Sequence, residues 1–579
     1  MSFLRNPFMT AYKARLYPNY WDIVALLFAL GVISLLAWDA KQMSAPYHLG
    51  QPTTISLDPS YLPGYALRTV SRMLIALCFS LLFTLTFGLW AAKSKRAGRI
   101  IIPIIDICQS IPILGFLSVA IVAFISLFPG SMLGPECAAI LAIFSSQAWN
   151  MALGFYQTVR SVPAELREAA NMFHLSAWQR FWRIDVPFSM PGLLWNMMMS
   201  MSAGWFFVVA SEAVTVSNQQ ILLPGIGSYI AYAIQSANMP AIGYAILTMF
   251  IVILIYDQFL FRPLVAWSEK FKAEQVAHER EAHSWLVDLL HRTRLLRFFG
   301  SKLNHLFDSL VNFSLFRSKP NEKFYTAPSR LQRFVNGILN VALAMAVMAM
   351  VIFPIYFIVV NMPLSSVGHV LFLGLLTTIR VFVLIIICSL IWVPVGVWIG
   401  FRPQVAQMAQ PIIQFLAAFP VNLLYPLVVI LILKYNLNVE IWVTPLMILG
   451  VQWYILFNVI AGASVLPKDL LQVADNFCVN GWLRWRRLIL PGIFPYYMTG
   501  AMTAAGGAWN ASIAAEVITW GKTKLVATGL GAYITECTKH GDFLHMAIGI
   551  SMMCLLVLFF NRLVWRPLYV LAEERFHLD

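Results

Sequence analysis

Two acidic residues stand inside apolar runs, at matching places in two related stretches of the chain. Glu212 follows Trp205 by seven residues, and Glu516 follows Trp509 by seven. Asp106 and Gln109 lie in another apolar run beside Pro112, and Arg72 and Arg380 stand near the start of two more. A charge within a bilayer is costly, and is kept where it faces a path, an ionic partner or a freed backbone group. Glu212 and Glu516 are therefore candidates for a gate or pathway contact, or for anchoring the segment that follows each. Trp205 and Trp509, about two helical turns earlier, line the same face or pack. Asp106 and Gln109 line a path, or satisfy backbone groups freed by Pro112. Arg72 and Arg380 suit first contact with an incoming anion, or an anchor at the membrane interface. None of this makes a catalytic set: the runs hold no Ser/His/Asp arrangement, no metal-ligand spacing and no paired catalytic acids. Seven scattered cysteines without a CxxC indicate neither disulfides nor a metal site. Gly521-Lys522-Thr523 matches only the end of a phosphate-binding loop, because Glu516 stands where its first glycine belongs. The chain is expected not to be an enzyme, and to carry no cofactor, metal or ATP site of its own.

The elements that position these residues follow from composition. Of 579 residues 60% are hydrophobic and only 11% charged, against roughly 25% charged in soluble domains. That excludes a soluble enzyme and a disordered chain, and leaves a polytopic helical membrane protein. Apolar windows long enough to cross a bilayer fall near 22–38, 68–92, 100–128, 136–158, 190–214 and 241–262, then near 335–361, 370–400, 407–434, 439–463, 493–518 and 544–565. Part of 215–240 is a candidate to dip back into the membrane. The net charge of +14 reads as a cytoplasmic excess of Lys and Arg rather than as a nucleic-acid surface. Lys93, Lys95, Arg96 and Arg99, then Arg160, Arg167, Arg180 and Arg183, then the basic stretch 262–333, all fall on one side. Both termini are expected in the cytoplasm. Residues 1–264 form the first half, 265–333 a basic cytoplasmic insert and 334–579 the second half. Leu286, Leu289, Leu290, Leu295, Phe298 and Phe299 among the basic residues of the insert suggest an amphipathic helix on membrane lipid, or a solvated linker.

The chain repeats itself. Residues 163–269 align without gaps on 467–573, at an offset of 304 (467 − 163) that pairs Trp178 with Trp482, Trp205 with Trp509, Glu212 with Glu516, Gly225 with Gly529 and Gly227 with Gly531. Upstream, Arg72/Arg380, Pro103/Pro411 and Pro112/Pro420 pair at 308, so the second copy is four residues shorter between Pro112 and Pro163. Six spans separate equivalent points, so the halves are parallel and related by an axis along the membrane normal. The expected fold is all-α: two parallel six-helix halves, about twelve spans, fused into one chain that needs no homodimer.

Each half carries a polar stretch after its fourth span, Pro163 to Pro187 and Pro467 to Pro491. Leu166, Ala169, Ala170 and Phe173 recur at helical spacing. Ser176 and Gln179 form a capping box opening a second short helix, and Asn480 is the expected cap in the second copy. Twin helix–turn–helix loops on one surface favour docking to a cytoplasmic partner.

These loops resemble the EAA signature of permease subunits of ABC importers. Glu168-Ala169-Ala170, position 174, Ile184 and Pro187 follow its spacing. The Trp205-x6-Glu212 spacing and the runs Gly225–Ile230 and Thr528–Ile534 resemble the nitrate/sulfonate/taurine-type permeases. The resemblance implies a type I importer fold in a bacterial inner membrane. It implies two copies of a cytoplasmic ATPase that hold ATP and Mg, and a periplasmic or lipid-anchored solute-binding protein. It also implies alternating-access import of a small anionic or zwitterionic solute such as nitrate, a sulfonate, taurine or bicarbonate. Glu168, Ala169, Ala170, His174 and Pro187, with Gln472, Ala474, Cys478 and Pro491, are then the ATPase-coupling residues. The chain departs from the signature at three places: His174 and Cys478 replace the usual Gly, and Gln472 replaces the acid. Because Gly permits φ > 0 at the turn, the turn is expected to be rebuilt, with Gly481 used in the second copy. The competing reading is a twelve-span secondary active transporter. The acidic loop motif expected of that class after the second span is missing, since Lys93-Ser-Lys-Arg-Ala-Gly98-Arg99 holds no acid.

Overall fold

The computed structural model describes residues 20–43, 45–46, 55–216, 219–268, 305–312, 363–521 and 523–576, with further short pieces between 285 and 361. The first half runs α1 (Tyr20–Met43), α2 (Pro59–Lys93), α3 (Lys95–Ser110), α4 (Ile113–Leu127), α5 (Leu133–Arg160), α6 (Ala164–Met172) and α7 (Ala177–Glu212). A hairpin of β1 (Ala213–Val216) and β2 (Gln219–Leu222) follows, then α8 (Ile226–Gln235) and α9 (Met239–Ser268). The second half repeats the order: α10 (Leu364–Gly400), α11 (Pro403–Ala418), α12 (Val421–Lys434), α13 (Val439–Val465), α14 (Lys468–Asn476) and α15 (481–515). It closes with β3 (Val517–Trp520), β4 (Thr523–Val526), α16 (Leu530–His540) and α17 (Phe543–Ala572).

Seven described helices (α2, α5, α7, α9, α10, α13 and α17) are long and apolar enough to cross a membrane. The polytopic, helical character read from composition holds. The spans expected at 100–128 and 407–434 are not single straight helices. The first breaks between α3 and α4, and α11 and α12 meet at a 73° bend. Proline dictates the break: Ile111 and Phe419, each just before a proline, are extended with ψ of 127° and 125°, as the proline ring requires of its predecessor. The segment considered for a re-entrant dip makes the β1–β2 hairpin and α8.

The breaks have a structural use. Freed from α3, α4 crosses to the other half, where the Ile113 N–H donates to Asn510 Oδ1 at 2.7 Å and Gly115 packs on Ile550. In the reverse direction Leu423 is buried in the core of the first half, and Asn422 Nδ2 donates to the Phe206 carbonyl at 3.3 Å. The halves are thus interlocked by exchanged segments around two cores. One is built on α2, α5 and α7–α9, the other on α10, α13 and α15–α17. α1 is tied to α2 through Arg68, whose NH2 donates to Gln42 Oε1 at 2.7 Å. Most of the basic insert, including the six apolar residues from Leu286 to Phe299, lies outside the described residues.

Candidate functional site

Three features of the structure bear on function: the twin loops, a buried ion network at the far end of each half, and a cleft between the halves.

In each loop a nine-residue helix, α6 or α14, ends in a turn closed by two backbone bonds. The His174 N–H donates to the Asn171 carbonyl and Leu175 N–H to the Ala170 carbonyl, both at 3.0 Å; Cys478 and Val479 repeat this on Asp475 and Ala474 at 3.0 and 2.8 Å. This is a Schellman closure, which requires a left-handed residue at its centre. His174 and Cys478 adopt it, with φ of +50° and +52°. The expectation of a rebuilt turn is therefore wrong: two paired bonds outweigh the cost of roughly 1–2 kcal/mol that a side chain incurs there. Gly481 is left-handed as well, at φ +59°, but it follows the turn and does not replace it. Ala170 and Ala474 are buried beneath the turns, whereas Glu168, Gln472, His174 and Cys478 are exposed. Pro187 and Pro491 lie inside α7 and α15, each two residues beyond a π-helical turn (Phe181–Asp185 and Trp485–Ile489) that interrupts the regular backbone ladder where the proline N–H is missing.

The two loops differ in what holds them. Ser176 and Gln179 form the full capping box, with Oγ accepting from Gln179 N–H at 3.2 Å and Oε1 from Ser176 N–H at 3.0 Å. Asn480 occupies the matching position, but its side chain makes no capping bond, contrary to expectation; an exposed Arg484–Asp475 ion pair at 2.5 Å braces that loop instead. Only the first loop touches the insert among the described residues. Trp178 Nε1 donates to the Leu310 carbonyl at 3.2 Å, Gln179 and Arg183 both donate to Asn312 Oδ1 at 3.1 Å, and Phe307 meets the edge of Trp182. The equivalent Trp482 is 73% exposed, and Phe173 and Phe477 are both 78% exposed. Each loop therefore presents an uncovered aromatic knob to any partner.

At the other end of α7, Arg72 grips two carboxylates. Its Nε and NH2 bind Glu136 at 2.5 and 2.7 Å, NH1 binds Glu212 at 2.7 Å, and NH2 also reaches the Pro224 carbonyl. Glu212 accepts further bonds from Thr69 Oγ1 at 2.7 Å and from the Gly227 N–H at 2.6 Å. No part of this trio is exposed. The glycines of the Gly225–Ile230 run now have a reason: a Cβ on Gly225 would stand 2.3 Å from the Glu212 carboxyl carbon, and one on Gly227 2.4 Å from the Val209 carbonyl oxygen. The second half repeats the plan with Arg380, Glu516, Thr377, Gly529 and Gly531, and with the Ala532 N–H as backbone donor. There Arg380 also pairs with Glu440, whose side chain is 43% exposed.

Glu212 and Glu516 thus anchor α8 and α16 through backbone N–H groups, and their carboxylates face protein rather than an open path. Arg72, read as an interface or first-contact residue, is wholly buried, which corrects that expectation; Arg380 keeps slight exposure. Trp205 and Trp509 are core residues at 1% and 4% exposure, Trp205 against the edge of Tyr256. Sequence reasoning missed Thr69, Thr377, Glu136 and Glu440. The repeat held the signal, since Thr69/Thr377 pair at 308 and Glu136/Glu440 already at 304, which places the four-residue difference between Pro112 and Glu136.

The cleft lies between α7 of the first half and α11 and α13 of the second. Trp195, Trp453, Tyr454 and Phe457 wall it, with Ser202 and Gln414 as its polar edge, and it holds no charged side chain. Ser202 Oγ donates to the Ala417 carbonyl, and Gln414 Nε2 contacts Met198 Sδ at 2.9 Å. It has room for one water molecule at most in this conformation. Asp106 and Gln109 occupy, at the offset of 308, the places of Gln414 and Ala417 in the first copy. Gln109 is partly buried in the last turn of α3; the side chain of Asp106 lies outside those described. No cluster of His, Cys, Asp and Glu fit to hold a metal occurs among the described residues.

Two interlocked parallel halves, twin loops on one face and apolar spans throughout define a multi-pass membrane permease of duplicated design. The chain belongs to the family described as binding-protein-dependent transport system inner membrane component, whose pattern matches residues 84–261 and again 392–566, once in each half. It is similar to the glycine betaine/proline betaine transport system permease protein ProW of Escherichia coli, 29% identical over 204 residues that make up 34% of this chain and 54% of that one. It is also similar to the bicarbonate transport system permease protein CmpB of Synechococcus elongatus, 30% identical over 26% of this chain and 51% of that one. The nitrate import permease protein NrtB of Synechocystis is 23% identical over 44% of this chain and 90% of its own length. The chain spans about half the length of the first two relatives.

Proposed function

We propose that this chain is the fused membrane subunit of an ATP-driven importer in a bacterial inner membrane. Its twin loops face the cytoplasm and dock on two copies of a separate ATPase that binds ATP and Mg, and a solute-binding protein delivers cargo to the opposite face. The observation that carries this reading is the pair of loops with one turn geometry, each projecting an exposed aromatic residue, at equivalent places in a doubly matched family pattern. Closing the ATPases would drive α6 and α14 together, and α7 and α15 would carry that motion to the cleft.

Among anionic and zwitterionic solutes the cleft favours a zwitterion. A bare anion leaving water needs a cation or several donors, and none of the cleft residues is Lys, Arg or His. Indole and phenol faces attract alkylated ammonium groups and repel anions. That agrees with the betaine permeases among the relatives more than with the bicarbonate and nitrate ones. Purification from native membranes in mild detergent tests the reading: two ATPase copies should accompany each chain. Vesicles of the reconstituted complex should take up glycine betaine with ATP, and nitrate poorly. A solitary chain that moves solute down an ion gradient without ATP would establish the secondary-transporter reading instead.

A further inference from the structure

We infer that the two β-hairpins close the solute path on the face opposite the loops, and that Trp520 and Gly521 latch that closure. Each hairpin follows one of the long helices α7 and α15, and its base is fixed by the backbone of the network carboxylate. The Leu223 N–H donates to the Glu212 carbonyl at 2.8 Å and the Ala527 N–H to the Glu516 carbonyl at 2.9 Å. Each hairpin then leans across the pseudo-symmetry axis, β1 onto α16 and β3 onto α8. A lone two-stranded hairpin is marginal in water, so this packing is what supports each pair of strands.

The second hairpin makes the tighter joint. Trp520 and Thr523 pair across a two-residue turn in which Gly521 has φ +56°, the positive value that such turns require. This presents the Gly521 N–H outward, where it donates to the Ile234 carbonyl at the end of α8 at 2.9 Å. A Cβ on Gly521 would lie 3.4 Å from the Ala237 Cβ. Trp520 packs against the cores of both halves, while its repeat equivalent is Val216. Lys524 in β4 pairs with Glu536 of α16, so the hairpin is bound to its own half along its length and to the other half at its tip. At the tip of the second hairpin, one backbone bond and one indole reach the other half, few enough to part in each transport cycle.

The test rests on the reading above only in its ATP arm. All seven native cysteines are replaced, Ala237→Cys and Gly521→Cys are introduced, and a protease site in the insert lets the halves be separated on a gel. The Cβ separation of 3.4 Å lies at the short edge of the about 3.5–4.5 Å usual for a disulfide. In the complex purified with its partners, mild oxidation should join the halves and lower ATP hydrolysis several-fold, with recovery on reduction. Trapping with ATP, Mg and vanadate before oxidation should cut cross-linking several-fold. Failure to cross-link, or complete cross-linking with hydrolysis unchanged, would overturn the latch. Trp520→Val, which requires no cysteine, should make liposomes leak entrapped glycine betaine and nitrate without ATP. If no ATPase accompanies the chain, a leak in this variant upholds the gate while the ATP-driven reading falls, and tight liposomes sink the gate as well.

Discussion

In the first half Arg72, Glu136 and Glu212 form a trio with no exposed atom, whereas in the second half Glu440 carries the same contact out to solvent. The loops show the same contrast. The first is capped, aromatic-packed and covered by residues 307–312, while the second is braced by an exposed ion pair and leaves Trp482 bare. A duplicated scaffold has kept one geometry in both copies while concentrating rigidity in the first. The same backbone path therefore does not imply the same energetic weight, and substitutions at paired positions measure the difference.

The largest separation is expected at the arginines. Arg72→Met strands two buried carboxylates, a loss of about 3–5 kcal/mol for a broken buried pair, and folded yield in membranes should collapse. Arg380→Met should cost markedly less, because Glu440 can turn to water; equal yields would erase the contrast. Next come the loops: Glu168→Arg should reduce solute uptake several-fold, and Gln472→Arg less, at matched expression. Equal loss in both would show that the loops couple alike. Removing the insert's contact by Phe307→Ala forfeits an edge-to-face pair of about 0.5–1.5 kcal/mol. Hydrogen exchange in residues 177–185 should rise while 481–489 stays unchanged. The smallest effect belongs to the turns. His174→Gly and Cys478→Gly should each raise thermal stability by no more than about 1 kcal/mol, the relief of a left-handed side chain less the added chain entropy. A loss of stability at either position would mean that the side chain makes a contact worth more than the strain.

Sequence patterns carried the duplication, the helical class and the placing of both loops, because apolar runs and a gapless offset are long-range signals that survive local divergence. They did not carry the hairpins. Ala213–Val216 and Gln219–Leu222 are four residues each, too short for alternation to declare itself, and the surrounding segment without charges read as apolar. The breaks at Pro112 and Pro420 were visible as prolines, but a proline inside an apolar run is compatible with a kinked span, and only the exchange of α4 and α12 between halves shows why the chain turns. Glu212 and Arg72 are both visible in the sequence but not as partners, since an ion pair between residues 140 positions apart leaves no local trace. The turns mislead for a different reason: the absence of glycine does not entail the absence of the left-handed conformation, which His174 and Cys478 adopt.

Fusion of the halves also changes how such a protein varies. In a permease assembled from two identical chains, one codon change alters both loops at once, and a weakened contact is suffered twice. Here a change at Gln472 or Cys478 is met once, beside an unaltered Glu168 and His174. A substitution in the second loop therefore perturbs one surface and leaves its counterpart as it was, which a chain used twice cannot do.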